Sequence, residues 1–332
     1  MTVVELEANQ PPDRFYRGGA RIAGFRGRGA AGDHVPEDWV GSVTALFGEP
    51  ELGLTRLADG RLLRDAVVAD PVAWLGEQHV ARYGTDTALL VKLLDAGERL
   101  PVHAHPDRRF AAAHLGLAHG KTEAWIALAP ADVHLAFRRE VSDDELAGWG
   151  KQQDTAAMLG AMHTLRLRRG DAVLVPASLP HAIGEGAFVV ELQEPTDLSI
   201  LMEWQGFAID GAALGHLGLG FETALAAVDR RAWTAEQVEA LRGADDGTVG
   251  ELLPRASEFF RAERSRGPVR WDPAFAVVVV VAGTGALRAD DGTVVPVRPG
   301  QTLLVPHAAG AVEVTGGGEL ELLRCRPPVA ET

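Results

Sequence analysis

The residues best suited to chemistry are three histidines and one glutamate. His103 and His105 flank a single alanine, so an extended segment projects both imidazoles from one face of a strand, as two ligands of one metal ion require. Glu123 and His181 follow further along the chain. Three imidazoles and one carboxylate suit Zn, Mn, Fe or Ni and leave a coordination position for water or substrate. The sequence therefore predicts a site for one metal ion.

Strands are the main elements expected to position these ligands. The 38 glycines and 19 prolines lie singly between short runs rich in Val, Leu and Ala, a pattern typical of many strands joined by tight turns. Residues 86–137 and 164–201 are predicted to form one β-rich unit, and residues 257–325 a second. The expected metal ligands all fall in the first unit.

Two stretches have helical patterns. The first, 142–163, begins at Ser142, which can cap a helix, and continues with three acidic residues suited to a first turn. This predicted helix interrupts the first β-rich unit. The second, 221–242, is rich in Ala and Leu and lies between the two units.

The two β-rich units contain a weak internal repeat. Residues 170–176 read Gly-Asp-Ala-Val-Leu-Val-Pro, and residues 300–306 read Gly-Gln-Thr-Leu-Leu-Val-Pro. In both, a glycine turn leads into an apolar strand that ends at a proline, as at the start of the second half of a small β-barrel. A chain rich in Gly and Val could repeat this pattern by chance, but neighbouring strands follow in the same order and favour a duplicated barrel.

The composition excludes several classes of function. The chain has 332 residues, enough for about two domains, and a formal net charge of −14, whereas a protein that binds a phosphate backbone needs a basic surface. Nucleic acid and anionic membranes are therefore not expected as partners. The single cysteine, Cys325, cannot form an internal disulfide, the N-terminus lacks a signal-peptide pattern, and the longest apolar run is too short to cross a bilayer. These features predict a cytoplasmic protein.

Four segments resemble the class I mannose-6-phosphate isomerases, which are zinc-dependent cupin enzymes. They are 89–95 (LLVKLLD), 100–107 (LPVHAHPD), 120–125 (GKTEAW) and 175–183 (VPASLPHAI). Weaker likeness at residues 36–42 and 70–76 extends the resemblance over nearly the whole chain.

This resemblance implies a mainly β, α+β fold with two cupin-type jelly-roll barrels and a helical segment between them. The expected divisions are 1–85, with strands completing the first barrel; 86–205, the metal-binding cupin with a helical insertion at 142–163; 206–250, a helical linker; and 251–332, a degenerate C-terminal cupin. The second barrel is expected to bind no metal, because it has no H-x-H pair and Ala311 stands at the position of the last ligand.

The resemblance also implies a ligand set. The family holds zinc with Gln, His, Glu and His, and the matching residues are His103, His105, Glu123 and His181. One amide ligand has thus become an imidazole, which keeps zinc as the expected metal and leaves Mn, Fe and Ni open.

The implied reaction interconverts mannose 6-phosphate and fructose 6-phosphate by moving a proton between C1 and C2 through an enediol. Lys92 and Lys121 match the family's pocket lysines, and Glu191 and Asp197 are the candidate carboxylates for proton transfer. Either carboxylate could instead orient a metal ligand or an arginine, so the residue that moves the proton stays open.

One departure from the family affects the expected substrate. Leu201 stands where the family has an arginine thought to contact the phosphate or the enediolate, and leucine cannot replace a fixed cation. Arg108 and Arg109 are candidate replacements, although a solvated turn explains them equally well. Two alternatives therefore stay open: an isomerase of an unphosphorylated or different sugar, and a non-catalytic metal-binding or sugar-binding cupin. A sugar or sugar phosphate is the expected partner, and the chain is expected to be a monomer or a homodimer.

Overall fold

The structure is a computed structural model that describes residues 1–29, 32–243 and 245–329. Within these residues the strands are β1 (Val4–Leu6), β2 (Glu37–Val40), β3 (Leu90–Asp95), β4 (His103–Ala104), β5 (Glu123–Ala127), β6 (Ala131–Phe137), β7 (Met162–Leu167), β8 (Ala172–Val175), β9 (His181–Ile183), β10 (Phe188–Gln193), β11 (Ile200–Leu201), β12 (Gly250–Glu251), β13 (Arg261–Arg266), β14 (Val269–Trp271), β15 (Ala276–Ala282), β16 (Gly285–Ala289), β17 (Val294–Val297), β18 (Thr302–Val305), β19 (Val312–Gly316) and β20 (Glu321–Arg326).

The helices in the same residues are short. They are α1 (Ala20–Arg26), α2 (Leu63–Ala69), α3 (Pro71–Leu75), α4 (Glu77–Tyr83), α5 (Arg108–Leu115), α6 (Asp143–Gln152), α7 (Thr155–Ala161), α8 (Gly211–Leu214), α9 (Phe221–Ala224) and α10 (Ala235–Glu239), with 3-10 turns at Leu225–Ala227, Pro254–Ala256 and His307–Ala309. None of these described helices is long and apolar enough to cross a membrane.

Antiparallel pairing joins the strands into four sheets. The first sheet pair has the strand orders β2-β3-β10-β5-β8 and β11-β4-β9-β6-β7. The second sheet pair has the orders β1-β18-β15-β20-β13-β12 and β14-β19-β16-β17. The mainly β fold expected from the sequence is confirmed.

Each sheet pair encloses an apolar core. In the first pair, Trp125 of β5 and Leu135 of β6 belong to one buried cluster that spans both sheets. In the second pair, Leu303 of β18 and Leu287 of β16 do the same. Because apolar burial contributes about 25 cal/mol per Å² removed from water, these cores hold the paired sheets together.

A third core lies between the two sheet pairs. Phe188, Val190 and Leu192 alternate along β10 and face away from the first core, since successive side chains on a strand point to opposite faces. They share a cluster with Val277 of β15 and Leu323 of β20. The two middle sheets are therefore buried on both faces, which explains the continuous apolar sequences of their central strands.

The predicted helix at 142–163 is confirmed over most of its length. The Ser142 hydroxyl accepts a hydrogen bond from the backbone N–H of Glu145 and caps α6. The helix breaks at Gln153, which has a left-handed backbone with φ of 54°, and Asp154 caps α7. The range therefore forms two helices rather than one.

The prediction of a single helix over 221–242 is wrong. Only α9, the 3-10 turn after it and α10 lie in this range. Between them, the Asp229 carboxylate accepts hydrogen bonds from Arg231 at 2.7 Å and from the Trp233 indole at 3.1 Å, a local turn that competes with helix formation. Thr234 then caps α10.

Residues 1–85, expected to complete the first barrel, divide between the two sheet pairs. β2 joins the first pair and places Trp39 opposite Lys92 of β3. β1 instead extends the second pair by pairing with β18, and Leu6 is buried in the core between the pairs. This corrects the expectation for β1. Strand β18 pairs with β15 on one side, and the backbone groups on its other side pair with β1.

The two halves of the sequence repeat both form strands. Gly170 and Gly300, with φ of 87° and 83°, precede β8 and β18. A Cβ atom on Gly170 would lie 2.3 Å from the Asp246 side chain, and one on Gly300 would lie 1.8 Å from the Phe25 carbonyl oxygen. Both turns therefore require glycine for their conformation and for close packing.

Candidate metal centre

The first sheet pair brings the three predicted histidine ligands together. His103 on β4 lies directly opposite His181 on β9, and His105 follows β4 on the same face as His103. All three side chains are buried. Their potential ligand atoms lie within 4.8 Å of one another.

Backbone carbonyls orient all three imidazoles. The Nδ1 atoms of His103, His105 and His181 lie 2.8, 2.6 and 2.8 Å from the carbonyl oxygens of Pro101, Leu198 and Leu179. Since a carbonyl only accepts hydrogen bonds, each Nδ1 carries the proton and each Nε2 carries the lone pair. Such contacts are typical of imidazoles that bind a metal through Nε2.

The carboxylate of Glu123 completes the cluster from the facing sheet. Its Oε2 lies 3.1 Å from Nε2 of His105, and its Oε1 lies 3.5 Å from Nε2 of His181. The indole of Trp125 donates a hydrogen bond to Oε1 at 2.9 Å, which fixes the carboxylate.

The chemistry of these four groups fits a divalent metal ion. Burial lowers the pKa of His105 and His181 to about 3 and that of His103 well below its usual value, so all three imidazoles are neutral. Within the described residues, Nε2 of His181 is buried without a hydrogen-bond partner. A buried lone pair is costly to leave unsatisfied, and a metal ion would satisfy it.

Lys121 reaches the same cluster. Its ammonium lies 2.9 Å from Nε2 of His105 and donates a hydrogen bond to Oε2 of Glu123. A metal ion bound by the cluster would compete with this ammonium for the same two acceptors.

A row of side chains crosses the neighbouring sheet. Strand register places Trp39, Lys92, Glu191 and Trp125 side by side on β2, β3, β10 and β5. The Lys92 ammonium lies 4.5 Å from the centroid of the Trp39 ring, within cation–π distance. The row begins beside the candidate metal ligands, since Trp125 donates its hydrogen bond to Glu123.

Lys92 is surrounded by carboxylates. Its Nζ atom lies 3.5 Å from Glu37, 3.8 Å from Glu191 and 3.9 Å from Asp197. Lys121 lies 3.9 Å from Glu191 on the other side. All four predicted catalytic residues therefore line one pocket beside the four predicted ligands.

Glu191 has an unusual environment for a carboxyl group. Burial and the nearby charge of Glu123 raise its pKa to about 7, although Lys121 and Lys92 oppose the shift. Its Oε1 atom is buried and has no hydrogen-bond partner among the described residues. A carboxyl group in this state can both accept and release a proton near neutral pH.

Sequence reasoning missed Glu37 as a pocket residue. Its carboxylate accepts hydrogen bonds from the Tyr16 hydroxyl and, at 2.6 Å, from the Trp39 indole. The Glu37–Trp39 pair repeats the Glu123–Trp125 arrangement, in which an indole two residues along the strand holds a carboxylate. The repeated Glu-x-Trp spacing is visible in the sequence and could have identified Glu37 as a pocket residue.

Arg14 is a second pocket residue that the sequence did not single out. Its guanidinium lines the pocket with Nε 3.6 Å from Glu37 and a terminal nitrogen 3.9 Å from Asp197. Leu201 lines the same pocket and pairs with His103 in the β11–β4 ladder. The position of the family arginine is therefore apolar, and a cation reaches the pocket from another segment.

The suggestion that Arg108 or Arg109 supplies this cation is wrong. Arg108 pairs with Glu194 and stacks over the Phe259 ring, 4.6 Å from its centroid, and therefore faces the second sheet pair. Arg109 is exposed on α5. Neither belongs to the described lining of the pocket, because α5 turns the chain away immediately after His105.

Close to the candidate metal ligands, His119 lies between two acidic residues, and this arrangement should make the stability of the folded protein depend on pH. Burial alone would lower its pKa, but the hydrogen bond with Asp86 at 2.7 Å and the negative charge of Glu194, whose Oε1 lies 3.8 Å from Nδ1, raise it from 6.5 to about 9. A raised folded-state pKa stabilises the protein fully below pH 6.5, and this stabilisation is lost as pH rises to about 9. We expect the stability advantage of the native protein over His119→Gln to shrink across this window in chemical denaturation.

The exposed His114 provides the control, because His114→Gln removes an imidazole outside this bridge. If the free energy of unfolding of the native protein exceeded that of H119Q by the same amount from pH 6.5 to 9, the ion-pair assignment would be contradicted.

Curated proteins related to this chain in sequence include two mannose-6-phosphate isomerases. The mannose-6-phosphate isomerase of Streptococcus mutans serotype c is 29% identical over 180 residues, which cover 52% of this chain and 54% of that protein. The mannose-6-phosphate isomerase ManA of Bacillus subtilis is 25% identical over 237 residues, which cover 70% of this chain and 73% of that protein. The chain thus matches only about half the length of the first relative. No model of a known protein family matches the chain.

The fold is similar to a solved structure as well. The crystal structure of the mannose 6-phosphate isomerase from Bacillus subtilis superposes with a TM-score of 0.73 and 20% identity, over 98% of this chain and 100% of that chain. At this identity the superposition shows a shared fold. Together with the sequence relatives, it confirms the resemblance to the class I mannose-6-phosphate isomerases that the motifs indicated.

Proposed function

We propose that this chain, a relative of the mannose-6-phosphate isomerases in sequence and fold, is a metal-dependent aldose–ketose isomerase. The observation that carries the proposal is that Glu191, whose Oε1 atom has no hydrogen-bond partner among the described residues, lines one pocket together with His103 and Glu123, two of the four candidate metal ligands. The names of the relatives point to mannose 6-phosphate and fructose 6-phosphate as the substrate pair.

We assign each sheet pair to a cupin-type jelly-roll barrel. Two antiparallel sheets facing one another over a common core support this assignment in both halves of the chain. The glycine-led strands β8 and β18 support an origin of the two barrels by duplication.

His103, His105, Glu123 and His181 would hold the metal ion. Neutral imidazoles and one carboxylate favour Zn²⁺ and also suit Mn²⁺, Fe²⁺ and Ni²⁺. When bound, the ion would supply a positive charge that polarises sugar oxygens and stabilises negative charge on an enediolate.

Glu191 is the residue that we assign to proton transfer. It would accept the proton from C2 of the aldose and deliver it to C1, while one hydroxyl proton moves from O2 to O1, so the overall reaction is a balanced isomerisation. Its burial supports this role, since a carboxyl group shielded from water keeps the transferred proton from exchanging with solvent.

The neighbouring charges would position Glu191 and the sugar. Lys121, between Glu123 and Glu191, can donate a hydrogen bond to a substrate oxygen. Lys92 holds Glu191 in the row across the sheet. Asp197 is the more exposed of the two carboxylates, and we assign it to orienting Lys92 rather than to proton transfer.

Turnover of two sugars tests the proposal. We expect the metal-loaded protein to form ketose from mannose 6-phosphate, and to lose this activity after dialysis against a chelator and regain it when Zn²⁺ is added back. The apolar Leu201 in the pocket favours a second candidate, an isomerase of unphosphorylated sugars, so free mannose is assayed in parallel. Turnover of mannose alone would support that second candidate, and turnover of neither sugar would reject both.

A further inference from the structure

The pocket contains an arginine, Arg14, whose guanidinium lies at ion-pair distance from two carboxylates but donates no hydrogen bond to the described residues. Arg14 is about nine-tenths buried, with 11% of its side chain exposed. Its nearest carboxylate oxygens lie at 3.6 and 3.9 Å, beyond hydrogen-bond distance. Its Nε atom is buried without a hydrogen-bond partner in the part of the chain that the structure describes.

The backbone holds Arg14 in place from both sides. Its N–H donates a hydrogen bond to the carbonyl oxygen of His34 at 3.0 Å, and its own carbonyl oxygen accepts one from Nδ1 of His34 at 2.6 Å. The following Tyr16 is anchored by its hydroxyl on Glu37. The backbone that carries the guanidinium is therefore fixed before any ligand arrives, which lowers the entropic cost of binding one.

Of the two lysines of the pocket, Lys121 is hydrogen-bonded, and Lys92 lies at ion-pair distances similar to those of Arg14 but offers only three N–H donors. Lys121 contacts His105 and Glu123, and Lys92 stacks on Trp39 among three carboxylates. Arg14 is thus the pocket cation, among the described residues, with the most unused hydrogen-bond donors. A guanidinium offers five N–H groups in a planar fork that matches the oxygens of a phosphate.

The overall charge of the pocket also bears on the ligand. Apart from His103 and Tyr16, its acidic and basic side chains are Arg14, Lys92, Lys121, Glu37, Glu123, Glu191 and Asp197. The carboxylates outnumber the cations by one, so a divalent metal ion at the histidines would make the pocket positive. Such a pocket attracts an anion even though the whole chain has a net charge of −14.

We propose that Arg14 binds the anionic group of the substrate and so takes the place of the arginine that Leu201 replaces. The ligand class is a sugar that carries a phosphate group, held by a bidentate contact with the guanidinium. This inference rests on the proposed isomerase function for the identity of the sugar, but the phosphate contact is a property of the pocket alone.

Arg14→Gln and Arg14→Lys test the assignment in the metal-loaded full chain. We expect R14Q to weaken binding of inorganic phosphate, measured by calorimetry, by roughly 10- to 150-fold, because a charge-assisted hydrogen bond contributes about 1.5–3 kcal/mol. The KM for mannose 6-phosphate should rise by a similar factor, with a smaller change in kcat. R14K should be intermediate, since lysine keeps the charge but loses the fork.

Arg17→Gln is the matched control, because Arg17 is exposed on the same segment. Phosphate affinity in R14Q equal to that in R17Q would overturn the assignment, and if R14Q does not fold, R14K with unchanged affinity would do the same. Arg14-dependent phosphate binding without isomerase activity would reject the proposed function and keep this inference. Isomerase activity that is insensitive to Arg14 would reject this inference and keep the function.

Discussion

Replacing His181 with alanine is expected to remove the bound metal ion and, with it, isomerase activity. Nε2 of His181 is buried, has no hydrogen-bond partner among the described residues and lies 3.5 Å from Glu123 Oε1. This atom therefore makes no hydrogen bond that the fold would lose in the variant. Loss of a direct ligand should weaken metal binding by more than the roughly 10- to 100-fold typical of residues that only support a ligand. Elemental analysis after loading with Zn²⁺ and removal of the unbound ion by gel filtration measures the bound metal, and His105→Ala should behave similarly.

His134→Ala is the matched control for this experiment. His134 lies on β6, pairs with Ala182 beside His181, and is only partly buried. The H134A protein should retain its metal, and circular dichroism checks that each variant is folded. Full metal occupancy in H181A and H105A would show that the ligand assignment is wrong.

Replacing Glu191 with glutamine is expected to lower kcat by about 10²- to 10⁴-fold, the range for a positioned acid–base group. Glutamine keeps the shape of the side chain but cannot accept a proton, so metal content and KM should change little. Steady-state kinetics with mannose 6-phosphate and elemental analysis of the same preparation measure both effects.

Asp197→Asn separates the two candidate carboxylates. Asp197 is partly exposed and accepts a hydrogen bond from the backbone N–H of Phe47 at 3.3 Å, so D197N should affect kcat less than E191Q. Glu185→Gln, an exposed change just before β10, should leave kcat unchanged. If D197N abolished turnover while E191Q retained it, the proton-transfer role would belong to Asp197.

Local sequence patterns predicted the strands and the components of the site. The H-x-H spacing placed two imidazoles on one face because side chains alternate along a strand, and that relation holds in any sheet. The Ser142 cap likewise depends on neighbours within one turn. The single helix over 221–242 failed because Asp229 satisfies local donors in a turn that propensity alone does not reveal.

The sequence by itself determined the types of side chain available to the site: three imidazoles, a carboxylate, two lysines and a leucine where the family has arginine. The tertiary structure decided which of them meet. Lys92 faces Glu191 only through strand register, and Arg14 reaches the pocket because the N-terminal segment packs against the first sheet pair. Contacts between residues this far apart in the chain depend on how the layers pack, and no local spacing records that packing.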